Sequence, residues 1–154
     1  MTRPYAALLI AILFTLSLSG CASAPSSEIR VISVSGAPKA AGAYSQGIVS
    51  GGMLYTASFT PRDHVTGAVV QGDITAQVER VFDSLEGVLK GAGCTFKDVA
   101  KVNVYLTDFG DFAKMNSVMA ARFGDHRPAR TTVPIGKFPG PALVSIDLVA
   151  RVPQ

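Results

Sequence analysis

Cysteine is scarce in this chain: there are two, Cys21 and Cys94. Once Cys21 is assigned to an export signal, Cys94 has no second thiol, so an internal disulfide and a thiolate metal cluster are both excluded. A lone thiol in an oxidising compartment is tolerated best when buried. Histidine is as scarce, with only His64 and His126. They lie on separate loops, and no H-x-x-x-H or H-E-x-x-H spacing exists, so no metal site is expected. Charged residues make up 16% of the chain and are scattered, and the charge is nearly balanced once Arg3 is set aside. No basic stripe or aromatic-interleaved patch argues for nucleic acid. Gly-rich phosphate signatures are absent too, and no cofactor is expected.

Long apolar runs are also few, and the one that stands out is at the start. Arg3 is followed by an almost unbroken apolar stretch over residues 5–18, then by Ser19-Gly20-Cys21. A charged head, an apolar middle and a small-residue cleavage site are the parts of an export signal. The run is too short to cross a bilayer of about 30 Å comfortably as a permanent helix. Leu18-Ser19-Gly20-Cys21 resembles a bacterial lipobox, in which the cysteine sulfur carries a diacylglyceryl group and the chain is cut before it. An ordinary secretory signal cut near Ala22 or Ala24 is the alternative. Residues 1–20 are thus expected to be a lipoprotein-type signal, 21–28 a tether rich in Ala, Ser and Pro, and 29–154 the folded domain. Ala22 in place of an aspartate resembles the pattern that permits transfer to the outer membrane. The expected location is the periplasmic side, lipid-anchored through Cys21, at the outer rather than the inner membrane.

Within the domain, alternation over residues 29–35 predicts a first strand, ended by Ala37-Pro38. Gly51-Gly52 between Ile48-Val49 and Met53-Leu54-Tyr55-Thr56 predicts a hairpin. Residues 59–72 read as a loop. From Asp73 the period changes, and Ile74, Val78, Val81, Phe82, Leu85, Val88 and Leu89 fall on one face of a helix capped by Asp73 and stopped by Gly91 and Gly93. A strand follows over 99–106. A second helix starts at Phe109 or Phe112 and runs to Arg122, with Phe112, Met115, Met119 and Phe123 as its buried stripe, the methionines being core filling. Strands at 129–133 and 143–152 close the chain. This order suits an α+β fold, a mixed sheet with both helices on one face. Its other face needs cover, which the open faces of several subunits would supply to one another.

Few polar residues stand out. Arg130 begins a short strand directly after Pro128-Ala129, where a guanidinium offers a rigid fork of donors for a carboxylate; the alternative is a rim arginine paired with an acid such as Asp147. Ser145 and Asp147 share one face of the last strand, while Val144, Ile146 and Leu148 pack on the other. The alternative for this polar face is simple contact with solvent. Tyr44, bracketed by Gly42 and Gly47, sits where a ligand contact could lie. Asn103, Tyr105 and Asn116 could add hydrogen bonds.

From Ala37 to Val152 the chain resembles the reactive intermediate deaminase A family (RidA, also YjgF/YER057c/UK114). The resemblance is carried by Ala40-Ala41-Gly42-Ala43-Tyr44-Ser45-Gln46-Gly47, by Gln77-Val78 through Leu89-Lys90-Gly91-Ala92-Gly93, by Val99-Ala100-Lys101-Val102-Asn103-Val104-Tyr105-Leu106-Thr107-Asp108, and by Arg127-Pro128-Ala129-Arg130-Thr131-Thr132-Val133. It implies a chorismate-mutase-like fold and a homotrimer with a ligand cleft at each subunit boundary. It also implies that Arg130 holds a substrate carboxylate while Tyr44, Ser58 and Asn116 shape the cleft. Family members that hydrolyse enamines and imines use a glutamate on the last strand to position or activate water, and that glutamate falls on Ser145. A serine without a partner base is neutral near pH 7 and cannot replace it. Asp147 shares the face but lies roughly 6.5 Å along the strand. Ser58 and Phe59 stand where relatives have a glycine and a polar residue.

Two functions follow from the resemblance. One is hydrolysis of a small 2-imino or 2-enamino acid to the 2-oxo acid and ammonia, with Arg130, Ser145 and Asp147 as the candidate catalytic set. The other is a non-catalytic trimer that captures a small carboxylate or carbonyl compound. For the export reading, Cys21→Ser is expected to release the protein or leave it unprocessed; an unlipidated mature form of the native chain by intact mass would refute the anchor.

Overall fold

The computed structural model describes residues 28–153; the signal, Cys21 and nearly all of the tether lie outside them. Six strands form one sheet in the order β1-β2-β3-β6-β4-β5. In chain order they are β1 (Arg30–Ile32), β2 (Gly47–Ser50), β3 (Met53–Thr56), β4 (Val99–Leu106), β5 (Ala129–Pro134) and β6 (Val144–Arg151), with α1 (Ile74–Ala92) before β4 and α2 (Phe112–Phe123) before β5. All neighbours are antiparallel except β4 and β5, which run parallel. Both helices cover one face, as expected for the chorismate-mutase-like fold. No helix among the described residues is long and apolar enough to cross a membrane.

Local chemistry accounts for the elements. Gly51 and Gly52 both take positive φ, 58° and 76°, as a two-residue turn matching the twist of the β2–β3 hairpin requires. Asp73 caps α1, its carboxylate accepting from the Ala76 N–H at 3.1 Å. Ile74, Val78, Val81, Phe82, Leu85, Val88 and Leu89 are all buried, so the apolar stripe is the one that seats α1 on the sheet. Phe82, Phe96 and Phe123 join α1 to α2 with ring centroids 5.4–5.6 Å apart. On the solvent side, Arg122 of α2 bridges Glu79 and Asp83 of α1.

The structure departs from the sequence expectations at four places. The first strand is shorter than residues 29–35 because the buried Gln46 amide takes over the backbone beyond Ile32. It accepts from the Val34 N–H at 2.6 Å and donates to the carbonyls of Val34, Ala37 and Pro38. Likewise the last strand starts at Val144, since the Leu143 N–H donates to the Gln77 side chain at 2.8 Å. Gly91 does not stop α1, which ends at Gly93 instead, with φ 81°. In α2 Val118 joins the buried stripe while Phe112 is only half-buried, following a 3-10 turn at Phe109–Asp111.

The reason for Gly91 is space. A Cβ there would lie 2.5 Å from Val34 Cγ1, whereas a Cβ at Gly87 would meet nothing closer than 3.5 Å. Helix propensity favours alanine over glycine by about 1 kcal/mol, but overpacking against a stiff β-branched side chain costs about 1–3 kcal/mol. Gly87→Ala should therefore raise stability by about 0.5–1 kcal/mol, and Gly91→Ala should lower it by about 1 kcal/mol. Urea midpoints of the two variants check the opposite signs.

Candidate functional site

Side chains alternate across β4 and β6, and the register sorts the polar ones onto the sheet face that no helix covers. Asn103 pairs with Asp147 and Tyr105 with Ser145. Between them Val102, Val104, Ile146 and Leu148 point into the core. On the bare face Asn103 donates to Asp147 at 2.8 Å. The Tyr105 phenol has its pKa pushed up, first by burial and then by the neighbouring Asp147 charge and hydrogen bond. It therefore stays a protonated donor beside that carboxylate.

Ser145 does not meet solvent: it is 3% exposed. Its hydroxyl donates to the Phe59 carbonyl at 3.0 Å and lies 2.7 Å from the Ser58 hydroxyl. A serine has one proton, so with Ser145 donating to Phe59, Ser58 is the donor in the pair. The position is neutral and tied into the backbone where the segment at Phe59 bridges to Ile146. The Phe59 ring belongs to the core. Ser58 and Tyr44 line a cleft of about 460 Å³ with Lys39, Arg62 and His64. Tyr44 is 56% exposed, and its hydroxyl accepts from the Ala41 N–H at 3.2 Å.

Arg130 lies elsewhere. On edge strand β5 it is in register with Val102, a core-facing residue, and so it projects on the helix side of the sheet. Its guanidinium donates to Asn116 Oδ1 at 2.7 Å and sits 5.2 Å from the centre of the Phe112 ring. Met119 Sδ lies 3.6 Å from the same nitrogen. Arg130, Asn116 and Met119, together with Phe123, His126 and Arg127, line a second cleft of about 280 Å³. Asp147, weighed as an ion-pair partner, is bonded to Asn103 on the other face instead. No carboxylate of the described residues forms a salt bridge with Arg130.

One chain thus brings Tyr44, Ser58 and Ser145 together, and separately Arg130 and Asn116. It does not bring the two groups to one place. Sequence reading missed the Phe112 platform under Arg130, which its helical spacing had marked as core. It also missed Arg62 and Lys39 beside Tyr44, which carry no motif. The histidines stay apart: His64 meets Arg80 at 3.0 Å, and His126 Nε2 lies 2.6 Å from the Val99 carbonyl. No group of metal-holding side chains exists among the described residues.

A mixed six-stranded sheet with two helices on one face and a polar strip on the other defines an α+β protein of the chorismate-mutase-like class. The Endoribonuclease L-PSP family model matches residues 34–152, and the chain belongs to this family, the RidA/YjgF family. It is 43% identical over 121 residues to a RutC family protein of Pyrococcus horikoshii, covering 79% of this chain and 96% of that one. It is 32% identical over 124 residues to the 2-iminobutanoate/2-iminopropanoate deaminase of Salmonella typhimurium, covering 79% and 96%. Among solved structures, a Rid family protein of Yersinia pestis superposes with a TM-score of 0.78 at 35% identity, covering 81% of this chain and all of that one.

Ser145 and Arg130 should separate in a stability measurement. Ser145→Ala leaves the carbonyl of buried Phe59 and the hydroxyl of exposed Ser58 each one partner short and is expected to cost about 1 kcal/mol. Arg130→Ala removes an exposed side chain and should stay within about 0.5 kcal/mol of the parent in the same urea titration.

Proposed function

We propose that the chain acts on small 2-imino and 2-enamino acids in a cleft shared between the subunits of a homotrimer. The observation that carries this reading is the Arg130 guanidinium, held by Asn116 and Phe112 with no acid paired to it among the described residues. Such a fork is a receptor for a ligand carboxylate. Ser58 meets Ser145 on the other face of the same sheet, and the cleft around Tyr44 and Ser58 shares no lining residue with the cleft around Arg130, so a ligand that touches both groups would lie across a boundary between copies. The bare face supports that boundary: Val31, Ile48, Tyr55 and Val149 form a row across four strands, with Val31 60% and Tyr55 48% exposed.

In the reaction, water adds to the imine carbon, a proton passes to nitrogen, and the carbon–nitrogen bond breaks to give the 2-oxo acid and ammonia. Arg130 would fix the carboxylate and so the carbon, leaving water to be oriented from the opposite side. The named deaminase among the relatives supports this chemistry. A second reading, a trimer that binds small carboxylates without turnover, is favoured by Ser145, whose proton is committed to Phe59 and which holds no negative charge. Asp147 is the carboxylate nearest in the chain to that position on the same face, and its bond to Asn103 fixes it.

Export and lipid anchoring through Cys21 belong to the proposal as well, on the strength of the signal anatomy. They would place the cleft on the periplasmic side, at the outer membrane.

Freshly generated 2-iminopropanoate tests the reading, with the Salmonella enzyme measured in parallel. Loss of acid or base assistance costs about 10² to 10⁴ in rate, so the parent chain is expected to fall that far below the relative. It should still bind 2-oxo acids, and Arg130→Ala should abolish that binding. Ser145→Glu should raise turnover. Full turnover by the parent, lost on Asp147→Asn, would make Asp147 the water-orienting group and end the binder reading.

A further inference from the structure

The cleft beside Tyr44 has an unbalanced lining. Lys39, Arg62 and His64 face it with Ser58 and Thr60, and no carboxylate does. Asp63 is in the same loop, but its Oδ1 accepts from the Val65 N–H, the Thr66 N–H and the Thr66 hydroxyl at 2.7–3.0 Å. Those bonds, the Thr66 backbone first, hold its pKa down and keep the carboxylate inside the loop's own turn.

The donors are fixed from behind. Arg80 of α1 donates to the Arg62 carbonyl at 2.8 Å and to His64 Nδ1 at 3.0 Å. Arginine has no acceptor, so Nδ1 must be the acceptor and the ring proton of neutral His64 is on Nε2. Arg62 spends one N–H on the Gly67 carbonyl at 2.7 Å, which closes the loop and leaves the rest of its fork uncommitted to that bond. Lys39 is exposed at the mouth and also lines an adjoining hollow with His64. An alkyl group entering this cleft would strip water from these donors and return nothing. An anion would be bonded by them.

We propose that the ligand carries a second anionic group at the end remote from its 2-imino or 2-oxo carboxylate, as a dicarboxylic acid does, and that Lys39, Arg62 and His64 receive it. This inference rests on the shared-cleft reading, in which the Arg130 of a neighbouring copy takes the first carboxylate. It makes the Tyr44 side the part of the site that selects among acids sharing the same reacting end.

Calorimetric titration of the full chain in mild detergent with 2-oxoglutarate and with 2-oxopentanoate tests it. The two acids have the same length and differ only in the remote carboxylate. Charge-assisted hydrogen bonds in a site open to water should favour 2-oxoglutarate by about tenfold, and added salt should shrink the ratio. The Lys39→Met/His64→Ala double variant should bring the ratio near one, with Arg62→Met as a second route to the same result. Equal affinities in the parent chain would overturn the second-anion inference while leaving the Arg130 clamp in place. A preference that persists in both variants would overturn the placement at Lys39, Arg62 and His64. Failure of both acids to bind, or binding of both that survives Arg130→Ala, would instead sink the reading beneath it and the inference with it.

Discussion

Everything that concerns the site depends on the register of β6, which is hydrogen-bonded between β3 and β4. Side chains on a strand alternate between faces, so a shift of one residue would exchange every side chain between core and open face. Val144, Ile146 and Leu148 face the helices, and burying them is worth about 1.5–3 kcal/mol each. Ser145 and Asp147 are therefore held on the bare face by the packing of their neighbours, whatever they do there. The Phe59 bridge to Ile146 extends the same register, bringing Ser58 against Ser145.

That constraint also places Arg130 and Ser145 on opposite faces of the sheet. Across β4, Leu148 and Arg130 both stand beside Val102, while Ser145 stands beside Tyr105. Arg130 consequently shares the helix side of the sheet, where Asn116 and Phe112 hold it, and Ser145 shares the other. In the proposed assembly, a second copy would place its edge strand against the first and so bring the two groups to one ligand. The apolar row from Val31 to Val149 lies on the same open face as Ser145 and Asp147.

Electrostatics on the bare face is unusual for a water-activating site. Ser145 has no charge, and the carboxylate that is present, Asp147, is held by the amide of Asn103 beside the protonated phenol of Tyr105. The cationic side chains line the two clefts instead, Arg127 and Arg130 in one and Lys39 and Arg62 in the other.

Much of the fold was legible because it rests on local periodicity. The α1 stripe, the Asp73 cap, the Gly51-Gly52 hairpin and the 99–106 strand all follow from spacing within a few residues. What was not legible depended on groups distant in the chain. Gln46 shortens β1, Gln77 delays β6, and Val34 explains Gly91, each through a contact that no local window contains. The same holds for the site. By itself the sequence determined that Arg130 begins a strand, that Ser145 and Asp147 share a face, and that no carboxylate stands at 145. Only the tertiary structure decided that Arg130 and Ser145 lie on opposite faces, that Phe112 carries the guanidinium, and that the Ser145 proton goes to Phe59. The face of one strand is a local property with a period of two, whereas the relation between faces of different strands depends on pairing, which is set when the sheet assembles.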